Sequence, residues 1–324
     1  MIYCKNAILR HTSRVTDLKL LIGIRRNKDM DKRINTGNLE NDNVQVNRKK
    51  TMEVVLAVFV LCNIVKYIEF LIIKTDQTII SENIICKLFM IAVLFVALSK
   101  LKWNWNKIGF SKKYLMRNAV LGLFLGISTF FVSYLTEYLI LVFMGKTPHI
   151  QFFITNFALS NQNIGGTSFA AVAVCIIGNI VNVWAEEGMF RGLFFQMMKT
   201  SFTEKQSNLI QSLLFGLWHI VTVIVWLLDG SINLSTACFM AFGYIVLSGV
   251  LAYEWGLCIA FTGTIWAGAF EHFFNNFITN SLHMVTDTGI DKMQIFRIVL
   301  SNVLSLTFVI MISKSAKRRK LHKK

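Results

Sequence analysis

The sequence is poor in proline and in charge. Pro148 is the only proline in 324 residues, and only 16% of the residues are charged. A soluble domain usually carries roughly a quarter charged residues, so this composition argues against one. Hydrophobic residues make up 54% of the chain instead, with a mean hydropathy of +0.52. Because we expect Pro148 in a loop, any helix kink must come from glycine or bound water.

Several enzyme and metal-binding patterns are also absent. The sequence contains no HExxH, GxGD or GxSxG motif. No CxxC pair occurs, and five of the six cysteines lie in apolar runs, so we expect small core residues, not disulfides or zinc ligands. The first 50 residues lack an apolar stretch long enough for a cleavable signal peptide. We therefore expect the first membrane span to direct targeting.

Long apolar runs fill the chain between residues 54 and 312. Most are about 20 residues long, which is the length that a helix needs to cross the hydrocarbon core. The sequence therefore predicts an all-α polytopic membrane protein with about eight transmembrane helices. The predicted spans are residues 54–73, 84–98, 118–143, 168–195, 207–228, 234–252, 257–278 and 295–312.

The net charge of +16 is concentrated outside these spans. Most of it lies in two tails, residues 1–50 and 314–324, and residues 100–117 hold basic residues without any acid. Positive charge marks cytoplasmic segments and attracts anionic lipids. We therefore predict an integral protein of the plasma membrane with both termini cytoplasmic. Neither tail interleaves aromatic and basic residues, so no nucleic-acid partner is expected. Residues 27–50 look disordered.

The fourth predicted span contains an unusual group of ionisable residues, in the string AEEGMFRG. Charged groups at membrane depth are costly and usually have a partner or a function. Glu187 and Arg191 are four residues apart and can pair on one helix face. Glu186 then points elsewhere, on the same face as Asn179 and Asn182. The alternative is that both acids simply neutralise Arg191 near the membrane surface.

Two histidines lie in later spans. His219 is near the middle of the fifth span, and His272 in the seventh is followed one turn later by Asn276. Each is compatible with helix–helix hydrogen bonding. Taken with Glu186, however, they form a set that is typical of hydrolases: a base, its partner and oxyanion donors. The remaining acids and lysine in the spans suggest structural roles; they are Lys66, Glu69, Glu137 and Glu271.

These residues fall into three motifs, EExxxR, FxxxH and HxxxN, in order along the chain. The arrangement resembles the CAAX-protease-like (CPBP, or Abi) family of intramembrane proteases, over about residues 105–280. The strings KIGFSKK and TGTIWAGAFEHFFNN extend the resemblance beyond the motifs. The motif positions are Glu186, Glu187 and Arg191, then Phe215 and His219, then His272 and Asn276.

The resemblance implies an intramembrane endopeptidase acting on a membrane-associated peptide or protein. It makes Glu186 the catalytic glutamate, His219 its partner in activating water, and His272 with Asn276 the oxyanion-stabilising pair. Glu187, Arg191 and Phe215 would support the site. The predicted organisation is a basic tail at 1–50, two helices at 51–104, the protease core at 105–280, a final helix at 281–313 and a basic tail at 314–324.

Three questions stay open at this point. Glu186, His219 and His272 also match the ligand count of a catalytic zinc site. A zinc-bound Glu186, however, would leave no spare carboxylate as base, so we favour a metal-free mechanism. The same fold could also serve, without catalysis, as a bacteriocin-immunity factor or peptide-binding scaffold. A transporter is the third possibility, although the chain has no matching halves.

Overall fold

The computed structural model describes residues 36–75, 78, 83–155 and 166–321. Most of these residues are helical. The α-helices are α1 (Thr36–Ile68), α2 (Ile84–Leu101), α3 (Leu115–Phe143), α4 (Phe169–Glu186), α5 (Phe195–Met198), α6 (Glu204–Trp218), α7 (Ile220–Leu228), α8 (Leu234–Thr262), α9 (Trp266–Ser281) and α10 (Gln294–Leu321). Two π-helical segments, Glu69–Ile73 and Glu187–Phe194, continue α1 and α4.

The all-α membrane architecture is confirmed. Seven helical segments in the described part of the chain are long and apolar enough to cross a membrane. The remaining predicted span, the seventh in chain order, corresponds to α9, which has 16 residues and a length of about 24 Å. Large hydrophobic side chains are exposed along the outer faces of the helices, including Phe124, Phe131 and Phe239. These faces are suited to contact with lipid.

Two predicted boundaries are wrong. The expected break at residues 253–256 lies inside α8, which continues to Thr262 and ends at Gly263 with a φ of 76°. Glu254 is fully buried there and its carboxyl is hydrogen-bonded to the Ser305 hydroxyl, so this acid is accommodated inside the bundle without a loop. The N-terminal tail also differs, because α1 begins at Thr36 and takes in residues 36–50. Residues 1–35 lie outside the described part of the chain.

Small residues set the closest helix crossings. A Cβ atom built on Gly122 of α3 would lie 2.1 Å from the Ala267 carbonyl oxygen of α9. One built on Gly216 of α6 would lie 2.5 Å from the Ile245 carbonyl oxygen of α8. Backbones approach this closely in membranes where small residues line the interface. The packing fixes α9 and α6, which both carry predicted site residues.

The cysteine prediction holds in part. Cys62, Cys86, Cys175 and Cys258 are free and buried, as expected for small core residues. Cys238 is also free but is exposed on α8. Its position on the outer face of a span explains the difference, because apolar surface faces lipid there.

A small antiparallel sheet caps one end of the bundle, which the sequence did not predict. Its strands are β1 (His149–Phe152), β2 (Leu282–Thr286) and β3 (Gly289–Ile290), in the order β1-β2-β3. His149 pairs with Val285 and Phe152 with Leu282. The sheet therefore joins the segment between α3 and α4 to the segment between α9 and α10. The predicted topology places both segments on the same side of the membrane.

Buried ion pairs tie this sheet to α3 and α10. Arg297 donates to Glu137 at 2.7 Å and to Asp291 at 2.8 Å. Asp291 also lies 2.6 Å from His283 Nδ1. Burial raises the pKa of the Asp291 carboxyl, but hydrogen bonds from His283 and Arg297 outweigh it and hold that pKa below its usual range. Glu137 thus has the structural role expected of it.

Contacts at the opposite end agree with the predicted topology. Arg48 donates to the Ser201 carbonyl at 3.0 Å, so the start of the first span lies beside the segment after α5. Trp266 Nε1 donates to the Ser111 carbonyl at 2.7 Å, so the α8–α9 turn lies beside the basic loop at 102–114. We therefore predict that these segments lie together on the cytoplasmic side.

This topology can be tested by labelling cysteines in intact cells. In a background lacking Cys4 and Cys238, we expect Lys112→Cys to resist a membrane-impermeant maleimide until the membrane is permeabilised. We expect Thr288→Cys, in the β2–β3 turn, to react from outside. Both positions are exposed. Labelling of Lys112→Cys in intact cells would contradict the eight-span arrangement.

Candidate active site

The centre of the site is the junction between α4 and the π-helix that follows it. Glu186 ends α4, and Glu187 begins the eight-residue π-helix, all of whose residues are buried. Gly188 and Gly192 allow close packing, since added Cβ atoms would lie 2.7 Å from Leu94 and 3.1 Å from the Ile108 carbonyl oxygen. π-Helical turns often occur at functional sites.

The two oxygens of Glu186 have different environments. Oε1 accepts a hydrogen bond from Trp218 Nε1 at 2.9 Å and lies 3.3 Å from the Lys87 ammonium. Oε2 lies 3.7 Å from His272 Nε2. Glu186 is only 3% exposed. One oxygen is therefore held by two donors, while the other faces a histidine at a longer distance.

His272 contacts both acids of the pair. Its Nδ1 lies 2.9 Å from Glu187 Oε1, and its ring stacks on Trp255 with centroids 4.2 Å apart. The sequence predicted that Glu186 and Glu187 point in different directions. The two carboxyl groups do lie beside different cations, Lys87 for Glu186 and Arg191 for Glu187. Both, however, also lie close to the His272 ring. Since a carboxylate only accepts, Nδ1 carries a hydrogen atom.

Arg191 forms the predicted pair with Glu187. The guanidinium Nε lies 3.4 Å from Glu187 Oε2, without hydrogen-bond geometry, and the arginine is fully buried. Its Cζ lies 4.0 Å from the centroid of Phe215 and 4.7 Å from that of Trp255. Phe215 thus packs against Arg191, where an aromatic face stabilises a desolvated cation.

His219 occupies a break between two helices. α6 ends at Trp218 and α7 begins at Ile220, where the sequence predicted one continuous span. His219 Nδ1 donates a hydrogen bond to the Phe215 carbonyl at 2.8 Å. Nε2 is the ring nitrogen that takes no part in this bond. His219 is near enough to Glu186 for the two groups to interact electrostatically. The break thus places this ring near the glutamate.

Asn276 lies one turn beyond His272 on α9 and is half-buried. Its backbone carbonyl accepts hydrogen bonds from Thr279 and Asn280. Within the described residues, no group hydrogen-bonds to the Asn276 side-chain amide. The amide is therefore available to a bound molecule.

Sequence reasoning missed three residues that touch the site: Lys87, Trp218 and Trp255. The first two contact Glu186, and Trp255 stacks on His272. A signal existed for Lys87, which is the only charge within its predicted span. Trp218 directly precedes His219 in the second motif. Nothing in the spacing marked Trp255.

The zinc hypothesis finds little support in the arrangement of the side chains. No group of three or more histidine, cysteine, aspartate or glutamate side chains within the described ranges is arranged to hold a metal ion. Lys87 also places a positive charge against Glu186 Oε1. A cation at that carboxylate would be repelled by the ammonium. The candidate ligands Glu186, His219 and His272 therefore do not fit a zinc site here.

An apolar cavity lies between the two helices that carry the acids and His272. Its volume is about 320 Å³. Its lining includes Trp184 of α4, Trp266 and Phe270 of α9, and Phe110 of the basic loop at 102–114. Such a cavity suits an apolar segment.

Comparison with known families identifies one match. Residues 168–278 match the family described as type II CAAX prenyl endopeptidase Rce1-like, which is part of the CPBP family. The match covers about a third of the chain and contains all three motifs. It excludes α1, α2 and α3. No curated protein and no solved structure matches the chain. The resemblance inferred from the motifs is thereby confirmed.

The two neighbouring acids should respond differently to loss of charge. Glu187→Gln leaves the fully buried Arg191 without its carboxylate, and breaking such a pair costs about 3–5 kcal/mol. We expect this variant to lose thermal stability in detergent and abundance in the membrane. Glu186→Gln should stay folded, because the amide oxygen still accepts from Trp218. A stable Glu187→Gln protein would contradict this reading of the ion pair.

Proposed function

We propose that this chain, which carries a CPBP-family domain, is an intramembrane endopeptidase. It hydrolyses a peptide bond of a membrane-associated protein or peptide. The proposal rests on the different environments of the two carboxylate oxygens of Glu186. Trp218 and Lys87 hold Oε1, whereas Oε2 faces the His272 ring at 3.7 Å. A buried carboxylate with one such oxygen is suited to act as a general base.

In the proposed reaction, Glu186 Oε2 takes a proton from water while His219 orients that water. The resulting hydroxide adds to the carbonyl carbon of the substrate, and the carbonyl oxygen becomes an oxyanion. Glu186 then passes its proton to the amide nitrogen as the C–N bond breaks. The products are a carboxylic acid and an amine, so atoms and protons balance without a further reactant.

His272 and Asn276 are assigned to the oxyanion. Both lie on one face of α9, one turn apart. The Asn276 amide can donate directly. The His272 ring is held by the 2.9 Å contact between its Nδ1 and Glu187 Oε1, and its Nε2 is the nitrogen assigned to the oxyanion. Donors of this kind are each worth about 3 kcal/mol in known oxyanion holes.

The surroundings support a substrate in the membrane. Glu186, Glu187, Arg191 and His272 are buried. They lie in a bundle in which seven helical segments of the described chain are long and apolar enough to cross a bilayer. The apolar cavity between α4 and α9 offers space for a hydrophobic part of the substrate beside the acids. We propose lipids and a membrane-bound peptide or protein as the partners of this chain.

The proposal is tested by comparing new N-termini in membrane proteomes. We expect cells with the wild-type protein to contain cleavage products that are absent from cells with Glu186→Gln, at equal protein abundance. Glu204→Gln is the matched control, because this glutamate is exposed on α6, and it should cleave normally. Identical products from Glu186→Gln would instead favour a non-catalytic peptide-binding protein.

The metal-free mechanism makes a separate prediction. Because Lys87 lies against Glu186, purified active protein should contain well under one zinc ion per chain. Its activity should survive prolonged treatment with a chelator. Metal analysis and a cleavage assay on the same sample measure both. Stoichiometric zinc, with activity lost on chelation and restored by zinc, would show that the metal-dependent mechanism is right.

A further inference from the structure

The family-matched region contains the motifs but leaves out α1 and α2. Each of these two N-terminal helices nevertheless places a lysine at the site. Lys87 of α2 is 6% exposed and Lys66 of α1 is 4% exposed. We propose that Lys87 is a positioning residue for Glu186, with Lys66 acting behind it through Trp218. This inference rests on the proposed function and concerns residues outside the motifs.

Lys87 is fixed by two contacts on α4. Its ammonium lies 3.3 Å from Glu186 Oε1 and donates a hydrogen bond to the Asn182 side-chain oxygen. Asn182 and Glu186 are four residues apart and so share a helix face. The ammonium therefore bridges two successive turns of α4 and determines the direction of the Glu186 side chain.

Lys66 reinforces the other donor to Glu186. Its ammonium donates to the Trp218 backbone carbonyl at 2.7 Å and lies 3.8 Å from the centroid of the Trp218 ring. The indole is held between this cation and Glu186 Oε1, to which its Nε1 donates at 2.9 Å. Both donors to Oε1 are thus anchored by the N-terminal helices.

Charge balance explains why a cation is needed at this position. Two adjacent carboxylates at membrane depth are unfavourable unless each has a partner. Arg191 lies beside Glu187, and Lys87 lies beside Glu186. By occupying Oε1, Lys87 leaves Oε2 directed towards His272 and the reacting water. Its loss should therefore impair the chemical step more than substrate binding.

The test uses an internally quenched peptide that spans the strongest wild-type-dependent cleavage found in the membrane proteome. We expect Lys87→Met to lower kcat by about 100-fold with KM within about twofold, since small misplacements of a catalytic group have effects of this size. Lys87→Arg keeps the charge and should recover part of kcat. Lys100→Met, an exposed lysine at the end of the same helix, is the control and should match wild type.

A second measurement separates positioning from folding. Adding ethylammonium to Lys87→Ala should raise its kcat, because the small cation can occupy the space beside Glu186, whereas neutral propionamide should not. Wild-type kcat in Lys87→Met, or no gain from ethylammonium in a folded Lys87→Ala protein, would overturn the inference. If neither variant folds, Lys87→Gln decides, and wild-type kcat in that variant would overturn the inference. If Glu186→Gln also cleaves the peptide, the proposed function itself fails.

Discussion

The contact between α4 and α9 is the interaction on which the rest of the site depends. His272 of α9 reaches Glu187 directly and Glu186 at longer range. At membrane depth, neither the acids nor the ring can obtain hydrogen bonds from bulk water. The two helices are therefore held at a separation that lets one ring serve both carboxyl groups. The stacked Trp255 and the close packing of α3 on α9 at Gly122 maintain that separation.

Polar groups inside the bundle fall into two kinds. Around Glu186 and Glu187, each acid has a cation and a histidine beside it. Glu254 and Glu271 instead share the Ser305 hydroxyl. That hydroxyl has one hydrogen atom and can donate to only one carboxyl group, so the other must donate to it as a neutral acid. The second group joins α8, α9 and α10, which is a structural role.

Much of the site followed from local spacing. The i,i+4 rule predicted that Glu187 pairs with Arg191 and that Asn276 lies one turn after His272. Such positions share a helix face whatever surrounds them. The family motifs then supplied the connection between distant helices. Contacts between separate helices were not accessible in this way. Lys87 and Glu186 are 99 positions apart, and no periodicity relates two residues on different spans.

The errors have physical causes as well. The break predicted near Glu254 assumed that an acid ends a span, but Ser305 on α10 satisfies this one inside the bundle. The predicted continuous fifth span is interrupted at His219, although neither glycine nor proline occupies that position. The three-stranded sheet was missed because its strands have two to five residues and because β1 pairs with β2 across more than 100 positions. The first and third cases depend on a partner that is distant in the sequence.

The break at His219 also explains how a helical bundle can present a reactive group to a carboxylate. In an unbroken helix, the Phe215 carbonyl would accept from the backbone N–H of residue 219. Here the 219 N–H donates to Gly216, and the Phe215 carbonyl accepts from the His219 ring. The side chain thus replaces the backbone as donor. The hydrogen bond from His219 Nδ1 sets the orientation of the ring, and the membrane makes that bond costly to lose.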